Sequence, residues 1–196
     1  MLNLQDPKRC AWLDCTKADY VKYHDQEWAV PVYADHKLFE FIVLESAQAG
    51  LNWYTILKRR NGYRQAFANF AVDQVALFDE AKVEQLMQNE AIIRNRAKIK
   101  AAINNAKAFI AIQQQFGSFS QYIWSFVDNK PIINEVDDAT SPPARSPLSD
   151  KISADLKQRG FTFFGSTICY AYLQACGLIN SHSKQCFLHH SQQSKN

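Results

Sequence analysis

Residues 38–53 have the sequence LFEFIVLESAQAGLNW. Leu38, Phe41, Ile42, Glu45 and Ala49 follow the i, i+3, i+4, i+7 spacing that places side chains on one face of a helix. The face is otherwise apolar, so we expect it to be buried. A buried carboxylate costs free energy unless it is paired or has a function. The stretch therefore predicts a core helix that carries one unusual carboxylate, Glu45.

Helical patterns extend over most of the chain, and strand signals are weak. Residues suited to helix ends accompany these patterns, such as Asp35 before the first stretch and Gly50 after it. The predicted helices cover about 36–49, 73–77 and 80–88 (starting near Asp73 and Asp79), 95–115 (ended by Gly117), 118–127, 150–159 (capped by Ser149) and 167–176 (capped by Ser166 or Thr167). Two short apolar runs, KPIIN (130–134) and FTFF (161–164), lack a partner pattern, and 134–150 is typical of a loop. The pattern predicts an all-α fold.

The composition indicates one folded unit without a membrane segment. The 196 residues are 47% apolar, enough for one compact domain or two small lobes sharing a core. We expect this domain at 1–188 and a disordered tail at 189–196. No run approaches the roughly 20 apolar residues of a membrane span, and the first residues lack a signal-peptide core, so we expect a cytoplasmic protein. The net charge of +3 permits a polyanionic partner without arguing for one.

Cysteine and histidine residues near both ends of the chain form candidate metal ligands. Five cysteines, an odd number, are more consistent with core thiols or metal ligands than with disulfides in a reducing compartment. His182 and Cys186 are spaced i, i+4 and, if helical, point the same way. Cys10 and His24 would complete a tetrahedral set for Zn²⁺, joining the two ends of the chain. Spacing alone leaves alternatives open: Cys15, His189, His190, and ordinary core cysteines with surface histidines.

Aromatic residues concentrate in the first quarter of the chain, around ADYVKYHDQEW (18–28). On a helix, Tyr20 and Tyr23 project to nearby positions on one face. With Trp12, Trp53 and Glu45 they could form an aromatic box with one carboxylate. Aromatic faces stabilise a planar cation by stacking and by cation–π attraction. Each aromatic residue taken alone is more typical of an ordinary core.

Two short segments concentrate positive charge: KRRNGYR (58–64) and RNRAKIK (94–100). A basic turn between two helices can bind a phosphate at a helix N-terminus. A solvated surface is the competing interpretation, and the interleaved isoleucines of the second segment favour an anchored turn.

Several motifs taken together resemble a known family. YHDQEWAVP, LFEFIVLESAQAGLNW, IIRNRAKI, WSFV and GFTFFGSTICYAYLQACGLINSH occur in this order. The set resembles DNA-3-methyladenine glycosylase I, the TAG-type enzymes of the helix–hairpin–helix glycosylase superfamily, over roughly residues 10–187. The resemblance implies an all-α fold with a structural zinc site that joins the N- and C-terminal segments.

The resemblance also implies an activity and assigns residues to it. It implies hydrolysis of the N-glycosidic bond of 3-methyladenine in alkylated double-stranded DNA by a monomeric enzyme that flips the base out. The implied zinc ligands, one ion per chain, are Cys10, His24, His182 and Cys186. The implied base pocket is formed by Trp12, Tyr20, Tyr23 and Trp53 with Glu45 as the catalytic carboxylate, and we expect Arg94, Arg96 and Lys98 at the DNA backbone. One alternative is a zinc-stapled helical protein that binds damaged DNA without cutting it. A second is a zinc-dependent hydrolase with an open metal site, against which a set of four ligands argues.

The sequence departs from the family pattern at a few positions. Many relatives have glycine where this chain has Ala29 and Ala91, and Ser46 and Asn52 also differ. If the turn at Ala91 requires a positive φ, a Cβ there is penalised. Many superfamily relatives carry an aspartate after the hairpin that stabilises the sugar cation. The resemblance to TAG-type enzymes implies that it is lacking, and this sequence offers no convincing substitute, so we expect the enzyme to depend mainly on recognition of the base.

Overall fold

The computed structural model describes residues 7–138 and 143–189. Part of the predicted loop, 139–142, and most of the predicted tail, 190–196, lie outside these ranges. In the described part the chain forms mainly helices, with two short strands and a 3-10 turn at Ala68–Phe70. The elements are α1 (Ala18–Gln26), α2 (Asp35–Gln48), α3 (Trp53–Ala66), α4 (Val72–Ala76), α5 (Glu80–Met87), α6 (Arg96–Phe116), α7 (Phe119–Ser125), β1 (Ile132–Ile133), α8 (Pro147–Gln158), α9 (Ser166–Ala175) and β2 (Ile179–Asn180).

The helix predicted from the opening stretch, α2, lies at the centre of the fold. Every residue from Leu38 to Ala47 is buried, and the helix packs against α3, α6, α7 and α9. Burial on all sides is typical of a core helix. Two carboxylates of α2, Glu40 and Glu45, are therefore buried. The sequence predicted burial of Glu45 only.

Some predicted helix ends are wrong. Asp35 does not cap α2, which begins after Ala34; its carboxylate accepts the backbone N–H groups of Phe119 at 2.9 Å and Ser120 at 2.8 Å. Asp35 therefore caps α7, a contact between residues more than 80 positions apart that local sequence cannot indicate.

The two C-terminal helices also begin differently from the prediction. Helix α8 starts at Pro147 and is capped by Ser146, and Ser149 supplies the reciprocal bond of a capping box. Helix α9 begins after Gly165 without a side-chain cap, so neither Ser166 nor Thr167 has that role.

The fold is not purely helical, because KPIIN and the segment after α9 form a small parallel sheet. Ile132 pairs with Ile179 and Ile133 with Asn180. This pairing holds the segment after α7 against the C-terminal segment. The C-terminal segment extends further than predicted, since His189 is buried and its Nδ1 lies 2.9 Å from the carbonyl oxygen of His182.

The departures from the family pattern have different consequences from those expected. The residue in the left-handed region is Ala29, with φ 61°, which is fully buried, whereas Ala91 is not a positive-φ residue. The glycine that matters at this turn is instead Gly62 of α3, which packs closely against it. A Cβ on Gly62 would lie 2.4 Å from the carbonyl oxygen of Ala91. Gly62 therefore allows α3 to approach the turn before α6.

In the described part of the chain, the helices are too short or too polar to cross a membrane.

Candidate functional site

The aromatic residues and the carboxylate predicted to form a box do meet. They line a cavity of about 170 Å³ at the junction of α1, α2, α3 and α9. The cavity is smaller than the range of about 300–1,000 Å³ typical of pockets for drug-sized molecules. Its lining residues are Trp12, Tyr20, Tyr23, Trp28, Glu45, Gln48, Trp53, Ala171 and Gln174. The sequence predicted the first three, Glu45 and Trp53, but not Trp28, Gln48 or the pair from α9. The pair from α9 was missed because the proximity of distant helices is not visible in local patterns.

Local structure sets the orientation of the cavity wall. Helix α1 presents Tyr20 and Tyr23 at i, i+3, so both project toward the same side. The Asn52 side chain accepts the backbone N–H of Tyr54 at 2.8 Å and caps α3, which places Trp53 at its first position. The Tyr23 and Trp53 rings lie 5.2 Å apart between centroids. The two aromatic walls are therefore supplied by two separate helices, α1 and α3.

Glu45 is the unusual group of the cavity. It is only 4% exposed and, within the described residues, has no hydrogen bond or ion pair. Burial raises the pKa of its carboxyl to about 8. Glu40, on the same helix, accepts a bond from Arg60 Nε at 2.7 Å and one from Lys37 Nζ at 2.8 Å. The fold thus pairs one buried carboxylate and leaves the other facing the cavity, where a cation would favour its ionised form.

Cys10, His24, His182 and Cys186 form a second cluster beside the cavity, and all four are buried. Their ligand atoms lie within 4.8 Å of one another. The distances from His182 Nδ1 to the Cys10 and Cys186 sulfurs are 3.4 and 3.5 Å, and His24 Nε2 lies 3.7 Å from Cys186 Sγ. Bonds of about 2.0–2.3 Å to a tetrahedral zinc would separate ligand atoms by roughly 3.3–3.8 Å. These three distances fall within that range, as expected for ligands that could hold a four-coordinate metal ion.

Neighbouring groups prepare the cluster for metal binding. Asp25 Oδ1 lies 2.7 Å from His24 Nδ1, which leaves Nε2 directed at the cluster, and Arg9 binds the same carboxylate through two nitrogens. A hydrogen bond from Cys10 and the proximity of the two imidazoles hold the pKa of the Cys186 thiol well below its usual value. Of the alternative ligands, Cys15 is exposed and His189 makes a different contact, while His190 lies outside the described residues.

The basic residues before and within α6 have unequal surroundings. Arg94 is exposed, and its Nη1 lies 3.5 Å from Glu90. Arg96 is exposed but forms ion pairs with Glu80 and Glu84. Lys98 points inward: its Nζ donates to the backbone carbonyls of Ala47 and Ala49. The three residues expected at the DNA backbone therefore do not form one surface.

The other basic segment, KRRNGYR (58–64), is partly internal. Arg60 is buried and donates to Glu40 and Glu27, both at 2.7 Å, and Arg64 also reaches Glu40. Lys58 remains exposed. Much of the charge in KRRNGYR therefore stabilises the packing of α3 on α2 and on the end of α1.

The profile of a family described as Methyladenine glycosylase matches residues 12–189. The chain belongs to the methyladenine glycosylase family. A curated relative, DNA-3-methyladenine glycosylase from Haemophilus influenzae, is 44% identical over 178 residues, covering 91% of this chain and 96% of that protein.

Solved structures of this family superimpose closely. A crystal structure of 3-methyladenine DNA glycosylase I (TAG) is 47% identical with a TM-score of 0.89, covering 93% of this chain and 100% of that chain. A single-residue variant of 3-methyladenine DNA glycosylase I in complex with 3-methyladenine is 35% identical, with a TM-score of 0.88 and coverage of 92% and 97%.

Proposed function

We propose that this chain is a base-excision repair glycosylase that hydrolyses the N-glycosidic bond of 3-methyladenine in alkylated DNA. The observation that carries the proposal is Glu45, a buried and unpaired carboxylate in the wall of an aromatic cavity. The relatives named for this activity, and the solved complex of one of them with 3-methyladenine, support the same conclusion.

The cavity has the properties required by a methylated base. Methylation at N3 makes the base in DNA a flat cation, which aromatic faces such as Trp53 and Tyr23 attract. Glu45 favours this cation over neutral adenine, and the preference is larger in a cavity of low dielectric constant. The volume of about 170 Å³ suits a single base rather than a complete nucleotide. Selection therefore depends on shape and charge together.

The proposed reaction needs little acid–base assistance. The base must leave the helical stack to enter the cavity. Because the methylated base is cationic, it departs as a neutral molecule, and no general acid has to protonate it. Glu45 stabilises the positive charge while the bond breaks, and water adds to the sugar cation. No lysine lines the cavity among the described residues, which favours hydrolysis without a Schiff-base step.

We propose that the Cys10–His24–His182–Cys186 cluster binds one structural Zn²⁺. Two thiolates and two imidazoles are ligands that zinc prefers, and their spacing fits tetrahedral coordination. Four protein ligands leave no open position, so the ion would hold the chain ends together rather than take part in the reaction. Since His24 follows Tyr23 on α1, this cluster would also fix the aromatic wall.

For DNA binding we propose that the turn between α5 and α6 acts as the hairpin of a helix–hairpin–helix unit. Arg94 is the exposed candidate for a phosphate contact, and Arg96 would have to exchange its acidic partners for one. We also propose that the protein acts as a monomer.

One assay tests the proposal and separates the alternatives. The protein is incubated with a methylated DNA duplex, with and without a chelator, and the released bases are identified by chromatography. We expect free 3-methyladenine and abasic sites. Tight DNA binding without release of any base would instead identify a non-catalytic binder of damaged DNA.

A further inference from the structure

Lys98 lies in the first turn of α6, yet its ammonium group reaches the C-terminal end of α2. Its Nζ donates to the carbonyl oxygens of Ala47 at 2.9 Å and of Ala49 at 2.6 Å. The last carbonyls of a helix have no partner within the helix and carry partial negative charge. A lysine from another element therefore caps α2.

The two carbonyls that Lys98 binds belong to the residues on either side of a residue of the cavity wall. Gln48, between them, lines the cavity together with Glu45, one turn earlier. The connection to α3 begins here, with Gly50 at φ 77° and the N–H of Leu51 donating to the Gln48 carbonyl at 2.6 Å. Trp53 follows two residues later. The interaction of Lys98 therefore lies at the point that sets the spacing between the carboxylate and the Trp53 ring.

The same lysine belongs to the proposed DNA-binding segment. The Asn95 side chain accepts the backbone N–H of Lys98 at 3.1 Å and caps α6, directly after Arg94. The capped start of α6 therefore directs Arg94 outward and Lys98 inward. A displacement of this turn would be transmitted to the end of α2 through two hydrogen bonds.

We propose that Lys98 is a positioning residue that couples the basic turn to the cavity by capping α2, and that it is not a phosphate ligand. The inference rests on the proposed function only for its effect on catalysis. The geometric part, the capping of α2, does not depend on which base the cavity accepts.

The test compares Lys98→Met with Lys100→Met, a matched control two residues along α6 whose ammonium is exposed and paired with Glu80 at 3.0 Å. Three quantities are measured: the affinity for free 3-methyladenine, the salt dependence of DNA binding, and amide hydrogen exchange at Leu51 and Trp53. Lys98→Gln, with a shorter neutral donor, provides a second variant should the methionine variant fold poorly.

We expect Lys98→Met to weaken base binding and slow base release by about 10- to 100-fold, as small misplacements of a site do. Amide exchange at 51–53 should accelerate, while the slope of log affinity against log salt should match that of the unmodified protein. Lys98→Gln should show smaller changes in the same direction, and Lys100→Met should leave exchange and base affinity unchanged.

The opposite pattern would overturn the inference. If Lys98 were a phosphate ligand, its removal would lower the magnitude of the salt slope by about 0.9 and leave affinity for the free base and exchange at Leu51 unchanged. If the unmodified protein releases no 3-methyladenine, the proposed function fails, but the exchange measurement still decides whether Lys98 holds the end of α2.

Discussion

His24 Nε2 lies 3.7 Å from Cys186 Sγ, although 162 positions separate the two residues along the chain. This proximity joins α1, which carries Tyr20 and Tyr23, to the C-terminal segment. The Cys–His cluster and the cavity therefore share one helix, α1, which carries His24 of the cluster and two aromatic residues of the wall.

The first prediction concerns metal content. We expect purified protein to contain about one zinc per chain, because the four ligand atoms fit tetrahedral coordination. Cys186→Ser should lose the metal and lower the melting temperature, since binding energy at a structural site contributes to folding. Metal analysis and thermal unfolding measure both. Cys15→Ser, which changes an exposed cysteine outside the cluster, should retain zinc; a folded, metal-free wild-type protein would show that the cluster is not a zinc site.

The second prediction concerns pH and stability. Burial raises the pKa of Glu45 to about 8 in the folded protein, above its ordinary value of 4.5. Between these values the folded state keeps a proton that the unfolded state loses, so the contribution of Glu45 is complete at low pH and disappears as pH rises through the folded pKa. Through this group the free energy of unfolding falls by up to about 1.4 kcal/mol for each pH unit of increase.

Glu45→Gln removes this titration. Denaturant unfolding of both proteins between about pH 5 and pH 9 should therefore show a smaller loss of stability with rising pH in the variant. Parallel pH profiles for the two proteins would show that the carboxyl of Glu45 is not perturbed by its burial.

The third prediction concerns stacking. Trp53→Ala should weaken binding of free 3-methyladenine, because stacking of a base on an aromatic ring contributes about 1–3 kcal/mol. Isothermal titration calorimetry measures the change. Tyr33→Ala is the control, since Tyr33 is exposed and stacks on Trp124, which is not among the residues lining the cavity. Equal affinity in wild type and Trp53→Ala would place the base elsewhere.

The fourth prediction separates DNA binding from base binding. Arg94→Gln should weaken binding to duplex DNA of any sequence and reduce the magnitude of the salt slope by about 0.9, because the variant neutralises one phosphate fewer. Its affinity for the free base should not change, because Arg94 is not a residue of the cavity wall. Fluorescence anisotropy at several salt concentrations provides the slopes, and a wild-type slope in the variant would exclude Arg94 as a phosphate ligand.

Local patterns in the sequence predicted two of the long helices, α2 and α6, well. Helix α6 has an apolar stripe, an Asn95 cap and a terminal Gly117 with φ 86°, and its predicted and observed ends nearly coincide. Helix α3 was not predicted, because Gly62 and the basic residues around it interrupt the apolar period. In the structure Arg60 is buried by its partners Glu40 and Glu27, which are distant in sequence.

The candidate site was predictable only in part from residue patterns. The spacing of Tyr20, Tyr23 and His24 on α1 and the position of Glu45 in an apolar stripe indicated a special region. The choice of Cys10 over Cys15 came from family resemblance, because the ligands lie at opposite ends of the chain. The inward direction of Lys98 depends on tertiary packing. The run of positive charge in the sequence therefore could not distinguish Lys98 from its exposed neighbours Arg94 and Arg96.

The most direct test of the role of Glu45 is the single-turnover rate of 3-methyladenine release from an alkylated duplex by wild type and Glu45→Gln. The substitution keeps the shape of the side chain and removes its negative charge. We expect release to slow by about 100- to 1,000-fold, the cost of losing one electrostatic stabiliser of a transition state, with the fold unchanged by circular dichroism. Release at the wild-type rate would contradict the role of the buried carboxylate.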